Sequence, residues 1–113
     1  MSVKLSERNQ KIDNVLAQLL CYEHGKFDWY YNQLENLEMI VYDYGSYLVT
    51  EPINVDEELR RVFDADFDLC RALLTMLFRE DHFAQYGCFD NRYANGDVKP
   101  IISRMVELLK ENE

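Results

Sequence analysis

The stretch from Phe67 to Phe78 restricts the fold more than any other part of the chain, because nine of its twelve residues are apolar or alanine. At helical periodicity Phe67, Cys70, Leu74, Leu77 and Phe78 form one stripe, which Leu69, Leu73 and Met76 widen. The polar remainder is a narrow seam of Asp68, Arg71, Thr75, Arg79 and His82, again at three- and four-residue steps. A helix this apolar has to be covered over most of its circumference, so other helices must pack around it. Asp66 stands where an N-cap belongs. The spacing predicts a buried central helix over Asp66–His82 inside an all-α, compact single-domain bundle of about five or six helices, residues 1–113.

The flanking segments read as its partners. Ser6 is placed to cap a first helix from about Glu7 to His24, with Ile12, Val15, Leu16, Leu19 and Leu20 on one face and Gly25 as its left-handed stop. Asp28 is the expected cap of a second helix. Tyr30, Leu34, Leu37, Val41 and Tyr44 follow at alternating four- and three-residue steps, with Gly45 beyond them. Ile40–Thr50 also admits a hairpin, since IVYDY and SYLVT are rich in β-branched and aromatic residues. A lone hairpin lacks partner strands, so the periodicity favours helix through Tyr44. Tyr47 to Ile53 reads as extended up to Glu51-Pro52. Asn54 or Asp56 then caps a short helix carrying Leu59, Val62 and Phe63. Phe89 to Ala94 makes a helical turn stopped by Asn95-Gly96. Asp97 is the expected cap of a final helix that tolerates Pro100 in its first turn and buries Val98, Ile101, Ile102, Met105, Val106 and Leu109.

The formal net charge of -9 separates classes of partner. Nucleic-acid phosphates and anionic membranes both require concentrated Lys and Arg, so direct binding to either is not expected. A basic protein surface is the complementary partner. Three cysteines, Cys21, Cys70 and Cys88, lie far apart and in no paired spacing, which argues against a disulfide framework and for a reducing, cytoplasmic setting. The N-terminal MSVKLSERNQ has no apolar core of a signal peptide, and no run reaches the length of a membrane span.

Tests for chemistry remove most candidates. Asp64, Asp66 and Asp68 resemble the start of a calcium loop, but Leu69 and Thr75 stand where such a loop needs glycine and glutamate. With two histidines, His24 and His82, and no paired-ligand spacing, no metal is expected. No glycine pattern for nucleotides occurs, and no cofactor is expected. Cys88, His82 and Asp81 could be assembled as a nucleophile, base and acid only by choosing freely among nearby residues. What survives is the polar end of the central helix. There Arg79 could hold an anion while Asp81 and His82 move a proton. The plainer alternative is an ion-pair network that closes the helix end.

Eight tyrosines and one tryptophan are many for this length. Tyr, Trp and Arg anchor protein interfaces, which makes Trp29, Tyr30, Tyr42 and Tyr47 the candidate interface residues. Three functions are therefore carried forward. The first is a non-enzymatic protein-interaction or regulatory module, with self-association as one form. The second is an inhibitor mimicking nucleic-acid charge. The third is an enzyme or small-ligand binder built on Arg79, Asp81 and His82.

The segment LLTMLFREDHF, the glycine-ended FDNRYANG turn and the DVKPIISRMVELL helix together resemble a small bacterial domain family of unknown function. Its members read LLT-x3-R-x-D-R-F, a Gly-terminated turn, and an I/V-x3-I-L-x-R-L helix. The upstream VYDYGSYLV is similar to that family's tyrosine-aspartate-x-glycine-aromatic segment. The likeness covers about Val41 to Leu109 and falls on Leu73, Leu74, Thr75, Arg79, Asp81, Phe83, Gly96, Val98, Ile102 and Arg104. His82 replaces the family's arginine, and the segment before Asp66 diverges. The resemblance implies an all-α fold and a bacterial or phage source, and it implies no activity.

Overall fold

Helix periodicity in the sequence becomes six helices in the computed structural model, which describes residues 7–21, 26–83 and 88–111. They are α1 (Glu7–Leu19), α2 (Phe27–Asn36), α3 (Val55–Leu59), α4 (Phe67–Phe83), α5 (Cys88–Ala94) and α6 (Lys99–Glu111). Two 3-10 turns, Tyr44–Tyr47 and Arg60–Asp64, complete the order, and there is no strand among the described residues.

The expected central helix is α4. Asp66 caps it by accepting the backbone N–H of Leu69 through Oδ1 at 2.8 Å. Every residue from Ala72 to Phe78 is buried, Thr75 included. α6 packs against both α4 and α1, α5 against α4, and α2 against α1. Ile12, Leu16 and Leu19 of α1, Leu34 of α2, and Ile101, Ile102 and Met105 of α6 enter one core with Leu73 and Leu77. Each such side chain contributes about 1.5–3 kcal/mol by leaving water. Three rings fix the far end: Phe78 and Phe89 stack with centroids 4.4 Å apart, and Tyr31 meets Phe78 edge-on at 5.6 Å. No helix among the described residues is long and apolar enough to cross a membrane.

The first helix is shorter than expected. α1 ends at Leu19, and Leu20 and Cys21 form a turn. Two tyrosine hydroxyls occupy carbonyls that a longer helix would have used: Tyr30 donates to Gln18 O at 3.3 Å and Tyr93 to Leu19 O at 2.8 Å. The Ser6 cap, His24 and the Gly25 stop lie outside the described residues.

The expected second helix through Tyr44 is overturned. α2 stops at Asn36 with Glu38 in the left-handed region at φ 59°. The N–H of Glu38 donates to Glu35 O at 3.0 Å and that of Met39 to Leu34 O at 2.9 Å. These two bonds make the Schellman ending, with glutamate at the position glycine usually fills. The hairpin alternative fails as well, since Tyr44–Tyr47 is a 3-10 turn. Asp28 is also not the cap of α2: the helix begins one residue before it, and Asp28 lies in the first turn, where negative charge is favoured.

The C-terminal half follows the sequence more closely. Asn54 caps α3 by accepting the N–H of Glu57, and the Glu51-Pro52 bond before it is cis. Gly96, at φ 84°, ends α5 with the same pair of bonds seen after α2, from Gly96 to Tyr93 O and from Asp97 to Arg92 O, both at 3.0 Å. Two details differ. Asp97 does not cap the final helix, which starts at Lys99, and its carboxylate is bound by Arg92 instead. Phe63, placed with the buried set by its spacing, is 80% exposed because the chain tightens to 3-10 geometry at Arg60 and turns it outward.

Candidate functional site

Three polar centres hold this fold, and each arises from a charged or hydroxyl side chain placed on a helix face that packing has closed. The first is the polar seam of α4. Arg71 donates from Nη2 to Glu38 O at 2.8 Å and from Nε to Met39 O at 3.4 Å, while Asp68 takes its Nη1 at 3.0 Å. One turn on, Thr75 Oγ1 accepts the N–H of Val41 at 3.1 Å and donates to Arg71 O at 2.8 Å. The seam is thus a receptor for the chain after α2. It gives the main chain of residues 38–41 partners in place of helical ones.

The second centre is Glu58, whose side chain is fully buried. It shares the inner face of α3 with the half-buried Val55 and Leu59, next to the buried Val62 of the following 3-10 turn, so its carboxylate points inward. Oε2 accepts the backbone N–H of Val49 at 3.0 Å, that of Thr50 at 2.7 Å, and the Thr50 hydroxyl. Oε1 takes Arg61 Nη1 at 2.8 Å, and the same guanidinium donates to Tyr47 O at 2.9 Å. Burial alone would push this carboxyl up. The donors from Thr50, Arg61 and Val49 outweigh it and bring its pKa down to about 2.

The third centre is Arg92 on α5. Its Nε and Nη2 grip both oxygens of Glu80 on α4 at 2.9 and 3.0 Å. Its Nη1 reaches Asp56 Oδ1 of α3 at 2.9 Å and Asp97 Oδ2 at 3.2 Å. One guanidinium therefore joins three separate elements, and Glu80 above all holds its pKa higher than usual. Three carboxylates thus gather around one guanidinium.

Of the polar residues that end α4, the described side chains are Arg79 and Glu80. Glu80 goes to Arg92. Arg79 is half-buried, and its charge acts on Tyr42, whose hydroxyl donates to Glu35 Oε2 at 2.8 Å. That carboxylate, more than any other group, raises the Tyr42 phenol above its ordinary value. The backbone of Asp81 and His82 continues α4, and their side chains lie outside the described residues. The Cys88 side chain lies outside them too. Among the described residues no group of His, Cys, Asp and Glu could hold a metal ion.

The candidate interface residues divide. Trp29, Tyr42 and Tyr47 are exposed. Tyr30 is not: it is buried, its ring meets Trp29 edge-on at 4.9 Å, and its hydroxyl serves α1. The structure adds three exposed apolar residues to the set, Val49, Ile53 and Phe63. Three of the open grooves on the surface are lined by described residues. One of about 330 Å³ lies beside Trp29 and Lys26, and one of about 570 Å³ between Lys11 and Glu38. The third, of about 250 Å³, lies between α3 and the start of α6 beside Phe63.

Sequence reasoning passed over Arg92 and Glu58. Both left a signal. Glu58 is a carboxylate at i+3 from Val55 and i−4 from Val62, on an apolar face. Arg92 is the one cation between Asp90 and Asp97. Compared with known proteins, the chain matches no family model, no curated protein and no solved structure at a significant level.

Proposed function

We propose that this chain is a non-enzymatic protein-interaction or regulatory module whose partner presents a basic surface. The observation that carries this reading is the set of large apolar side chains exposed among the described residues of an acidic protein: Trp29, Tyr42, Tyr47, Val49, Ile53 and Phe63. Aromatic and aliphatic anchors ringed by charge are the composition of an interface core and rim. The strongly bound polar groups serve the fold: Arg71, Glu58 and Arg92 are each committed to backbone or to ion pairs.

A phosphate-mimicking inhibitor needs its carboxylates ridged along one face. Here the exposed acids include Glu7 of α1, Asp28 of α2, Glu57 of α3, Asp68 of α4 and Glu107 of α6. That dispersal speaks against the mimic. The resemblance to the bacterial domain family adds a proposed kinship and no activity. Several of its motif residues have structural work that explains them without a ligand: Thr75 holds Val41, Gly96 ends α5, and Arg104 Nε donates to Ala65 O at 3.0 Å.

The test is affinity capture from the native host with the full chain as bait, identified by mass spectrometry. It is repeated with Trp29→Ala, Tyr42→Ala and Phe63→Ala, and with exposed acids reversed, Glu51→Lys and Glu57→Lys. A basic partner retained by the wild type and lost with one of these surface variants is the expected result. If nothing is retained, or every variant retains the same proteins, the interaction reading is wrong.

A further inference from the structure

We infer that the groove between α3 and the start of α6 is the docking point for an arginine or lysine side chain of the partner, with Phe63 as the anchor beside it. This inference rests on the interaction reading and locates it. Among the described residues, four of the six exposed large apolar side chains, Tyr47, Val49, Ile53 and Phe63, belong to one stretch of chain. Glu58 and Arg61 bind that stretch from behind through Val49, Thr50 and Tyr47. The backbone that presents the exposed Tyr47 and Val49 is thereby held in place. Phe63 is the extreme case. At 80% exposure its ring stands almost clear of the protein next to a groove of about 250 Å³.

The groove matches a long cationic side chain in both of its parts. Its inner lining is apolar: Val62 and Ile101 are buried and Leu59 is half-buried. Its charged lining is Asp56 and Asp97, with Arg60 as the one opposing charge. Arg92 lies behind those two carboxylates but is already gripped on two nitrogens by Glu80. The groove's own lining thus carries two carboxylates against one guanidinium, a net negative charge. Asp56 is 76% exposed and gives only Oδ1 to Arg92, which leaves Oδ2 for a second cation. An arginine or lysine lays its methylene stem along apolar surface and brings its head to a carboxylate. The exposed face of Phe63 adds a cation–π contact. An acidic or neutral segment would meet the carboxylates without return, and a second copy of this chain, itself strongly acidic, would be repelled.

The probe is an acetylated, amidated peptide alternating arginine and leucine, titrated into the isotope-labelled full chain and followed by backbone amide shifts. Saturable shifts at Asp56, Phe63, Gly96 and Ile101 are expected. A counterpart with glutamate for arginine is expected to cause none. Phe63→Ala and Asp56→Asn, both at exposed positions, should weaken binding at least fivefold, while Trp29→Ala and the remote Glu111→Gln leave it within twofold. Shifts centred elsewhere, or equal weakening by Glu111→Gln, would overturn the groove and leave the interaction reading standing. Peptide binding in the groove with no partner captured from the host would do the reverse. A concentration-dependent dimer abolished by Phe63→Ala would assign the groove to a second copy and end the proposal.

Discussion

The hydroxyl of Thr75 accepts the backbone N–H of Val41 at 3.1 Å across thirty-four residues of chain, inside the core. Replacing Thr75 with Val keeps the shape and removes the acceptor, which strands a buried donor. We expect a loss of about 1–3 kcal/mol by chemical denaturation, and a much smaller loss for Thr75→Ser. Equal stability of Thr75→Val and wild type would show that this bond does not fix the segment.

Glu38 holds a left-handed conformation that costs an L-residue with a Cβ about 1–2 kcal/mol. Glu38→Gly should therefore raise stability by roughly 1 kcal/mol, the reverse of what glycine does inside a helix. The midpoint of urea unfolding is the readout. A lower midpoint would mean that the glutamate side chain contributes more than its backbone strain removes.

Glu58 ties stability to acid. Its folded-state pKa of about 2 lies below the ordinary 4.5, so its contribution is complete above pH 4.5 and lost as pH falls toward 2. The difference corresponds to about 3 kcal/mol at neutral pH. Glu58→Gln should lose a similar amount at pH 7 and flatten the fall in stability between pH 4.5 and 2. If the variant and wild type keep the same acid profile, the carboxylate is not the group responsible.

Arg92 and Glu80 form a two-pronged pair with little solvent around them, with side-chain exposures of 19% and 16%. Lysine at position 92 keeps the charge and gives up the fork. A cost of about 1–3 kcal/mol is expected for Arg92→Lys. A double-mutant cycle with Glu80→Gln should return a coupling of at least about 1 kcal/mol. Additive effects would show that α4 and α5 are joined by packing alone.

Cys70 and Cys21 should differ sharply toward a thiol reagent. Burial pushes the Cys70 thiol up to about 11, whereas Cys21 is exposed. In single-cysteine variants at pH 8, Cys21 should react within the mixing time and Cys70 only at the rate of unfolding. Rapid labelling of Cys70 in the native protein would contradict the packing around α4.

What could be read from the chain and what could not divides at recognisable physical causes. α4 with its Asp66 cap, the Asn54 cap and the Gly96 stop all announce themselves in local residue types. The end of α2 does not. Its ending uses the same two bonds as that of α5, but glutamate stands where glycine would have been the cue. The forces that hold it there, Arg71 and Thr75, lie more than thirty positions away. Phe63 misled for a related reason, since its apolar spacing assumed an α-helix where the chain tightens to 3-10. Of the candidate site, Arg79 stands at the end of the predicted helix beside Glu80, which binds Arg92. The cation that organises that region, Arg92, was invisible to a search for catalytic patterns because its role is to gather carboxylates from three elements.

The path of the chain from Tyr47 to Thr50 is written in main-chain N–H and C=O groups held by one glutamate and one arginine. Its outward residues have no part in that writing. A protein arranged this way separates the template from the message. Tyr47 and Val49 can be exchanged for other side chains without redrawing the surface that presents them. On the interaction reading proposed above, recognition of a different partner would need only new letters at those two positions.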